Sequence, residues 1–436
     1  MPILRHTALL ALCASTLTCA AQQPPAALSA RDSDPVKLGW MQGSPPPPDK
    51  VIRSTDANAF QFPRMRWSVA HMRELLPTVE VSRGLGPPSP LPYRLDPQID
   101  SVRFTPWGNS GPMTWEASLW KNYTDGILIL HRGEVVYERY FGALKEDGQH
   151  ALMSITKSFT GTLAAMLVAE GVLDEDKLAT AYVPELQGSA FADATVRQVM
   201  DMTTALRFSE DYADPKAEIW TFSAAGSPMP KPAGYSGPDG YYAYLRTVQK
   251  EGTHGDAFGY KTVNADALGW IIARATGKSV PALLTERIWS RMGMEQSAYY
   301  QVDGQGTAFA GGGFNAGLRD LARFGELMRN GGQWHGQQMI PAQAVADIAS
   351  GGSKEAFAKA GYPLLKGWSY RDMWWHTGNA HGAYTARGVF GQAIYIDPAA
   401  EMVIVRLASN PVAANGANDP WSLPAYAAVA EYLMGK

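Results

Sequence analysis

Strand-like segments near both ends of this 436-residue chain limit the folds it can adopt more than any other feature. Residues 126–130 and 134–141 are rich in β-branched and aromatic residues and flank a glycine-containing turn, a pattern typical of a β-hairpin. Residues 392–396 and 401–406 flank Asp397-Pro398 in the same way. Because the segments between them are largely helical, we expect a sheet assembled from distant parts of the chain.

The segments between the two hairpins carry helical patterns. An apolar helix is predicted from about Met153 to Glu170, with Gly171 in a position that commonly ends a helix. From about residue 172 to 300, helical segments alternate with polar, proline-rich loops, and Thr195 begins a capping-box pattern. The sequence therefore predicts an α+β fold, with an antiparallel sheet flanked by helices and a helical subdomain inserted at about 172–300.

The N-terminal residues have the features of an export signal. Basic residues precede the apolar run of residues 8–14, and small residues follow, so we expect cleavage near Ala21. The run is shorter than the roughly 20 apolar residues of a membrane span, so no stable membrane anchor is expected. A lipid anchor at Cys19 fits the preceding residues poorly. The predicted organisation is a signal peptide over 1–21, a proline-rich linker or extended arm over 22–50 and one domain over 51–436, in a periplasmic or secreted protein.

Composition argues against several classes of function. Only 18% of the residues are charged and the net charge is −3, so no basic face for nucleic acid is indicated. Both cysteines, Cys13 and Cys19, lie in the predicted signal, so the mature chain would hold no disulfide, thiol nucleophile or cysteine-bound zinc. His376 and His381 stand five residues apart, a poor spacing for two ligands on one helix face. We therefore expect no metal and no cofactor.

The pattern Ser-x-x-Lys occurs twice, beginning at Ser118 and at Ser154. A chain of this length produces about one such match by chance, so the context distinguishes the two. Ser154 follows a predicted hairpin and begins an apolar helix, whose first N–H groups favour an oxyanion and whose i, i+3 spacing brings Lys157 to the same face. Burial would lower the pKa of Lys157 and let it act as a base. The segment of Ser118 is polar, so we expect Ser118 to cap a helix.

The residues around Ser154 resemble those of a known superfamily. Residues 150–158, placed after a strand hairpin, resemble the nucleophile region of the serine β-lactamases and penicillin-binding proteins. More narrowly, the chain resembles the 6-aminohexanoate-dimer hydrolases, amidases and esterases that cleave nylon oligomers. The resemblance runs from about Trp67 to the C-terminus and includes residues 186–214, 259–274, 319–332 and 374–379. It implies a β-lactamase/transpeptidase-like fold with Ser154 as nucleophile.

The resemblance also implies a proton relay. Tyr260 matches the tyrosine that exchanges protons with the catalytic lysine, here Lys157. Thr262 occupies the asparagine position of the superfamily's Tyr-x-Asn motif. Nylon-oligomer hydrolases have a small hydroxyl residue at that position, so this departure argues against a β-lactam specialist more than against catalysis.

The superfamily's third motif, Lys-Thr-Gly or His-Thr-Gly, lies on a strand beside the site. His376-Thr377-Gly378 resembles it, but in the family this triplet leads directly into the strand that ends in Asp-Pro. Counting back from Asp397-Pro398 places the triplet at residues 386–388 instead. The resemblance then implies an oxyanion hole formed by the N–H groups of Ser154 and Val389.

Four residues are implied to bind substrate: Tyr212, Ser223, Gly311 and Trp375. Tyr212 matches a tyrosine that hydrogen-bonds the scissile amide in the nylon-oligomer enzymes. Ser223 stands where amide-active members have an aspartate that binds the ammonium group of the substrate. Its presence favours ester cleavage over hydrolysis of the nylon dimer.

These observations predict an exported serine hydrolase that cleaves carboxylic esters, linear amides or both in a small-molecule acyl substrate. One alternative is a D-amino-acid peptidase or β-lactamase that acts on cell-wall-type substrates, against which Thr262 and the missing Lys-Thr-Gly count. Another is a non-catalytic binding protein on the same scaffold, against which the combination of Ser154, Lys157 and Tyr260 counts. The sequence leaves the oligomeric state open.

Overall fold

The computed structural model of the chain describes residues 27–108, 110–231 and 233–436, so the predicted signal peptide lies outside the described residues. Its strands are, in chain order, β1 Thr78–Val81, β2 Arg103–Phe104, β3 Met113–Thr114, β4 Thr124–His131, β5 Glu134–Tyr140, β6 His150–Ala151, β7 Leu206–Arg207, β8 Gln249–Lys250, β9 Ala298–Gln301, β10 Phe314–Ala316, β11 Gln333–Trp334, β12 Gln337–Gln338, β13 Ser369–Arg371, β14 Trp374–His376, β15 Tyr384–Gly388, β16 Gln392–Asp397 and β17 Met402–Ala408. Its α-helices are α1 Met65–Ser68, α2 Met72–Leu75, α3 Trp115–Lys121, α4 Ile155–Ala169, α5 Ala179–Tyr182, α6 Val196–Met200, α7 Glu218–Gly226, α8 Tyr241–Leu245, α9 Val263–Thr276, α10 Val280–Arg287, α11 Leu318–Arg329, α12 Ala342–Ser350, α13 Lys354–Ala358 and α14 Asp419–Met434.

The main sheet is assembled from distant segments, as the sequence predicts. Its seven strands stand in the order β13-β14-β15-β16-β17-β4-β5, and neighbouring strands are antiparallel. The two predicted hairpins, β4-β5 and β16-β17, meet where β17 pairs with β4, and Ile404 lies opposite Ile129. The predicted α+β class is therefore confirmed.

The two faces of this sheet are covered by different helices. Because side chains alternate across a strand, Leu128 and Leu130 share a core with α4 and α11, while Ile127 and Ile129 pack with α3 and α14. Burial on both faces explains why this segment is a continuous apolar run instead of an alternating pattern.

A second, four-stranded sheet in the order β1-β9-β10-β6 positions the start of α4. Strand β6 pairs with β10, and the N–H of Leu152 donates to the carbonyl oxygen of Phe314 at 3.0 Å. Met153 follows with φ of 50°, so the chain turns sharply and Ser154 lies at the N-cap of α4. At the other end, α4 stops beside Gly171 (φ 71°), where the sequence predicts its end.

Residues 172–300, the predicted helical insertion, contain helices α5 to α10 together with the β7-β8 pair and lead into β9. The capping box at Thr195 is formed with Gln198, and α9 ends at Gly277 in the left-handed conformation. Helix α9 packs against α4. It therefore connects the inserted region to the helix that begins at Ser154.

The described part of the proline-rich segment, residues 27–50, contacts the domain. Buried Arg66 donates to the carbonyl oxygen of Ala30 and, at 3.1 Å, to the hydroxyl of Ser33. The same guanidinium is ion-paired with Asp125 at 2.9 Å. Within the described residues, none of the helices is both long and apolar enough to cross a membrane.

A close approach between α4 and the β13-β14 turn gives a stability prediction. A Cβ atom at Gly161 would overlap the carbonyl oxygen of Asp372 and lie 2.9 Å from Cβ of Met373. We expect Gly161→Ala to lower the free energy of unfolding by about 1–3 kcal/mol, because the backbones must separate. Thermal unfolding followed by circular dichroism tests this.

The matched control is Gly188→Ala, since a Cβ atom there meets nothing within 4 Å. Its midpoint temperature should equal that of the wild type or exceed it slightly. Equal midpoints for the two variants would contradict the tight packing of α4.

Candidate active site

Ser154 and Lys157 lie one helical turn apart at the start of α4. The Lys157 ammonium nitrogen is 2.8 Å from Ser154 Oγ and donates to the carbonyl oxygen of Gly311 at 2.6 Å. Lys157 is 1% exposed, whereas Ser154 is 9% exposed and reaches a cavity. The i, i+3 spacing therefore places a buried amine against an accessible hydroxyl.

Burial and two carboxyl groups set the charge of Lys157. Burial lowers the pKa of Lys157 to about 8, while the negative charges of Glu210 and Asp266 oppose that change. Burial in turn raises the pKa of both carboxyl groups, and the Lys157 charge opposes it. Burial thus disfavours the charged form of each of the three groups, and the attraction between their opposite charges opposes that effect. A neutral amine beside Ser154 Oγ can accept its proton.

Tyr260 lies on the other side of this pair. Its ring centre is 5.1 Å from the Lys157 nitrogen, and the partly buried residue lines the cavity. Burial raises the pKa of the Tyr260 phenol well above its ordinary value, and the Ser154 side chain opposes only part of the rise. The phenol is therefore held in its protonated form, which suits a proton donor. The resemblance implies that Tyr260 exchanges protons with Lys157, and a protonated phenol suits the donor step of that exchange.

The end of β15 lies against the turn that carries Ser154. A Cβ atom at Gly388 would lie 2.5 Å from the carbonyl oxygen of Leu152, so only glycine permits this approach. Val389 follows directly and lines the same cavity as Ser154. Neither the Ser154 nor the Val389 N–H is used by a turn, loop or cap hydrogen bond in the described part of the chain. Both are thus available to an oxyanion.

The alternative triplet at residues 376–378 lies elsewhere. It begins at the end of β14, where the His376 ring nitrogen Nε2 contacts the carbonyl oxygen of Ile348 at 2.5 Å. Thr377 Oγ1 donates to the carbonyl oxygen of Ala383 within the β14-β15 connection. The structure thus agrees with placing the third motif at residues 386–388.

Ser118, the competing nucleophile, is bonded within its own helix. Its Oγ donates to the carbonyl oxygen of Trp115 at 2.6 Å, and the residue is buried in α3. The Lys121 ammonium lies over the Trp421 ring, 4.8 Å from its centre. Ser118 and Lys121, the two residues of this Ser-x-x-Lys pattern, therefore contact different parts of the protein. Thr114, not Ser118, caps the helix.

The cavity in front of Ser154 has a volume of about 380 Å³. Its walls are mostly aromatic and aliphatic, with three acidic or basic side chains, and are formed by Ser154, Glu210, Tyr212, Tyr260, Tyr362, Pro363, Leu364, Leu365, Trp375, Arg387, Val389, Ala414, Asn415, Gly416 and Asp419. Two predicted substrate-binding residues, Tyr212 and Trp375, are among them. The size and lining suit a small, largely apolar molecule.

Two other predicted substrate-binding residues do not line this cavity. Gly311 lies behind the nucleophile, where its carbonyl oxygen accepts from Lys157 and a Cβ atom would be 2.6 Å from Thr262 Cγ2. Ser223 lies in α7, and its Oγ donates to the carbonyl oxygen of Ile219 at 2.8 Å. The prediction that Gly311 and Ser223 bind substrate is corrected, because Gly311 packs against α9 and the Ser223 hydroxyl bonds to its own helix.

Three charged residues near the nucleophile were not predicted as site residues. Glu210 accepts from the Thr262 N–H and, at 3.5 Å, from the Tyr212 hydroxyl. Asp266 accepts from the Ala310 N–H at 3.0 Å and is fully buried. Arg387 reaches the cavity from β15. The one available signal was Asp266, a carboxylate among the apolar residues of a predicted helix.

Comparison with known proteins identifies the family to which the chain belongs. The family model described as Beta-lactamase matches residues 117–427, which is more than half of the chain. The chain belongs to this family, and it is a hydrolase of the β-lactamase-fold serine hydrolase group.

Individual proteins of known structure or activity show which members of the family the chain resembles. The chain is 35% identical over 354 residues to a 6-aminohexanoate-dimer hydrolase of Paenarthrobacter ureafaciens, covering 80% of this chain and 87% of that protein. A solved structure from Bacillus anthracis with the same enzyme name superimposes with a TM-score of 0.80 at 31% identity, covering 89% and 99% of the two chains. A family VIII carboxylesterase, at 16% identity and a TM-score of 0.54 over 72% of this chain and 95% of its own, shares the fold.

Proposed function

We propose that the protein cleaves carboxylic esters and linear amides through an acyl-enzyme on Ser154. The contact that carries this proposal is the 2.8 Å approach of the buried Lys157 amine to Ser154 Oγ at the edge of the cavity. The similarity to a 6-aminohexanoate-dimer hydrolase supports a linear acyl substrate. We expect esters to react faster than amides, because an ester bond is the easier one to cleave and position 223, where the resemblance implies an ammonium-binding aspartate, holds a serine.

Acylation begins with proton transfer from Ser154 Oγ to the neutral Lys157 amine. The Ser154 oxygen then bonds to the substrate carbonyl carbon, and the negative charge on the carbonyl oxygen is held by the N–H groups of Ser154 and Val389. As the bond to the leaving group breaks, the Tyr260 phenol donates its proton to the departing oxygen or nitrogen. Lys157 returns a proton to Tyr260, so the charges balance.

Deacylation reverses these roles. A water molecule attacks the acyl carbon and transfers a proton to Lys157 through Tyr260. The bond between the acyl carbon and Ser154 Oγ breaks, and Oγ recovers the proton. The products are a carboxylic acid and the alcohol or amine that left first.

We also propose that the protein is exported. The support is the N-terminal pattern of basic, apolar and small residues over 1–21. We expect the protein expressed in full in a bacterial host to be recovered outside the cytoplasm with a mature N-terminus near residue 22. Intact-mass measurement of each cell fraction tests this, and full-length protein confined to the cytoplasm would contradict it.

The nucleophile assignment predicts the effect of single substitutions. Hydrolysis of p-nitrophenyl acetate and butyrate should fall by at least about 1,000-fold in Ser154→Ala, since the hydroxyl that forms the acyl-enzyme is removed. Ser118→Ala, the matched control, should retain wild-type turnover, because its hydroxyl bonds to α3. Turnover that persists in Ser154→Ala would overturn the assignment.

Parallel assays rank the alternatives. Cleavage of the 6-aminohexanoate dimer by the same preparation would establish amidase activity. Nitrocefin turnover above ester turnover would favour the β-lactamase alternative. Correctly folded protein that hydrolyses none of these substrates would favour a binding role.

The charge of Lys157 predicts a pH dependence. Because the neutral amine is the active form and burial lowers its pKa to about 8, kcat/KM for an ester should rise with pH through that region. Asp266→Asn removes a negative charge that raises the Lys157 pKa, so the rise should move to lower pH. Glu146→Gln, a surface control, should leave the profile in place. Identical profiles for wild type and Asp266→Asn would show that Asp266 does not set the charge of Lys157.

A further inference from the structure

Arg387 is a buried cation in the wall of the cavity. It projects from β15, two residues before Val389, and is 8% exposed. Its guanidinium carbon lies 5.3 Å from the ring centres of both Trp368 and Trp375. Contacts with two aromatic rings restrict the orientation of the guanidinium group, and with it the direction of the N–H donors.

Asp419 satisfies only part of this donor capacity. It accepts from Arg387 Nη2, and no other acceptor for the guanidinium exists among the described residues. A guanidinium group has five N–H donors, so donors remain for a ligand in the cavity. Asp419 is also the first residue of the sixteen-residue α14, whose N-terminal N–H groups stabilise its negative charge.

The other charged groups near the cavity carry both signs. Glu210 is partly buried, is bonded by Thr262 and Tyr212, and has a raised pKa because of its burial. Lys157 adds positive charge behind Ser154 whenever it is protonated. The carboxyl groups are thus engaged by the protein, whereas the guanidinium retains donors.

We propose that Arg387 binds a carboxylate group of the substrate, so the preferred esters or amides carry an acid group near the scissile carbonyl. A planar carboxylate matches the fork of N–H donors on a guanidinium. Two residues of strand separate Arg387 from Val389, about 6.5 Å along the chain, so the acid would lie several bonds from the carbonyl. This inference rests on the proposed function, and it names the substrate class of the same site.

The test compares matched substrates. On the acyl side, the pair is mono-p-nitrophenyl adipate and p-nitrophenyl hexanoate. On the leaving-group side, the pair is 4-carboxyphenyl acetate and phenyl acetate. We expect the wild type to prefer the acid in at least one pair, and the pair that shows it identifies which end of the substrate meets Arg387.

Two variants move this preference in opposite directions. The ratio of kcat/KM for acid over neutral substrate should fall by about tenfold or more in Arg387→Gln, because a charge-assisted hydrogen bond is lost. It should rise in Asp419→Asn, because Arg387 loses its competing anion. Arg132→Gln, which breaks an exposed ion pair with Glu401, should leave the ratio unchanged. If Arg387→Gln does not fold, as judged by its unfolding midpoint, the Asp419→Asn ratio decides.

Several outcomes would overturn the proposal. They are an unchanged ratio in Arg387→Gln, an unchanged ratio in Asp419→Asn, and a preference for p-nitrophenyl 6-aminohexanoate that disappears in Asp419→Asn.

Calorimetry with adipate separates this proposal from the proposed function. Adipate should bind Ser154→Ala and lose about tenfold in affinity when Arg387→Gln is added, whether or not any ester is turned over. Equal affinity in the single and double variants would contradict carboxylate binding by Arg387.

Discussion

The burial of Lys157 is the constraint on which the site depends. An ammonium group removed from water is unfavourable, and this one is 1% exposed, with Ser154 Oγ and the Gly311 carbonyl oxygen as its direct partners. The protein compensates with the negative charges of Glu210 and Asp266, which oppose the effect of burial on the pKa of the amine. The same arrangement that makes the cation costly makes the neutral amine a base near neutral pH. In the proposed mechanism, the burial that lowers the pKa of Lys157 is therefore also what makes Ser154 reactive.

The fold supplies this environment from separate parts of the chain. The small sheet fixes the turn before Ser154, the inserted region contributes Asp266 through α9, and the main sheet brings Val389 to the nucleophile at the end of β15. Glycine is required at 388, where β15 approaches the Leu152 carbonyl, and at 161, where α4 meets a neighbouring turn. Small changes in these contacts would separate the base, the nucleophile and the oxyanion donors.

Local patterns in the sequence predict much of the fold and part of the candidate site. The apolar hairpins predict the centre of the main sheet, and the position of Ser154 between a strand and an apolar helix distinguishes it from Ser118. The family resemblance, counted back from Asp397-Pro398, implies the positions of Gly388 and Val389, and β15 and β16 pair in the register that this count requires. In each case, the determining interactions lie within one helix or one hairpin.

Residues whose role depends on contacts between distant segments were not predictable in this way. Glu210 and Asp266 come near enough to affect the charge of Lys157 only when the inserted region is folded, and no periodic pattern in the sequence indicates this. Ser223 matches a family position, but its hydroxyl bonds its own helix.

The central claim, that neutral Lys157 activates Ser154, is tested most directly by covalent labelling. The protein would be treated with a fluorophosphonate, and the modified residue identified by peptide mass mapping over a range of pH. A single adduct on Ser154, formed faster as pH rises through about 8 and at least about 100-fold slower in Lys157→Met, is the predicted result. An adduct on another serine, or equal labelling rates for wild type and Lys157→Met, would contradict the account.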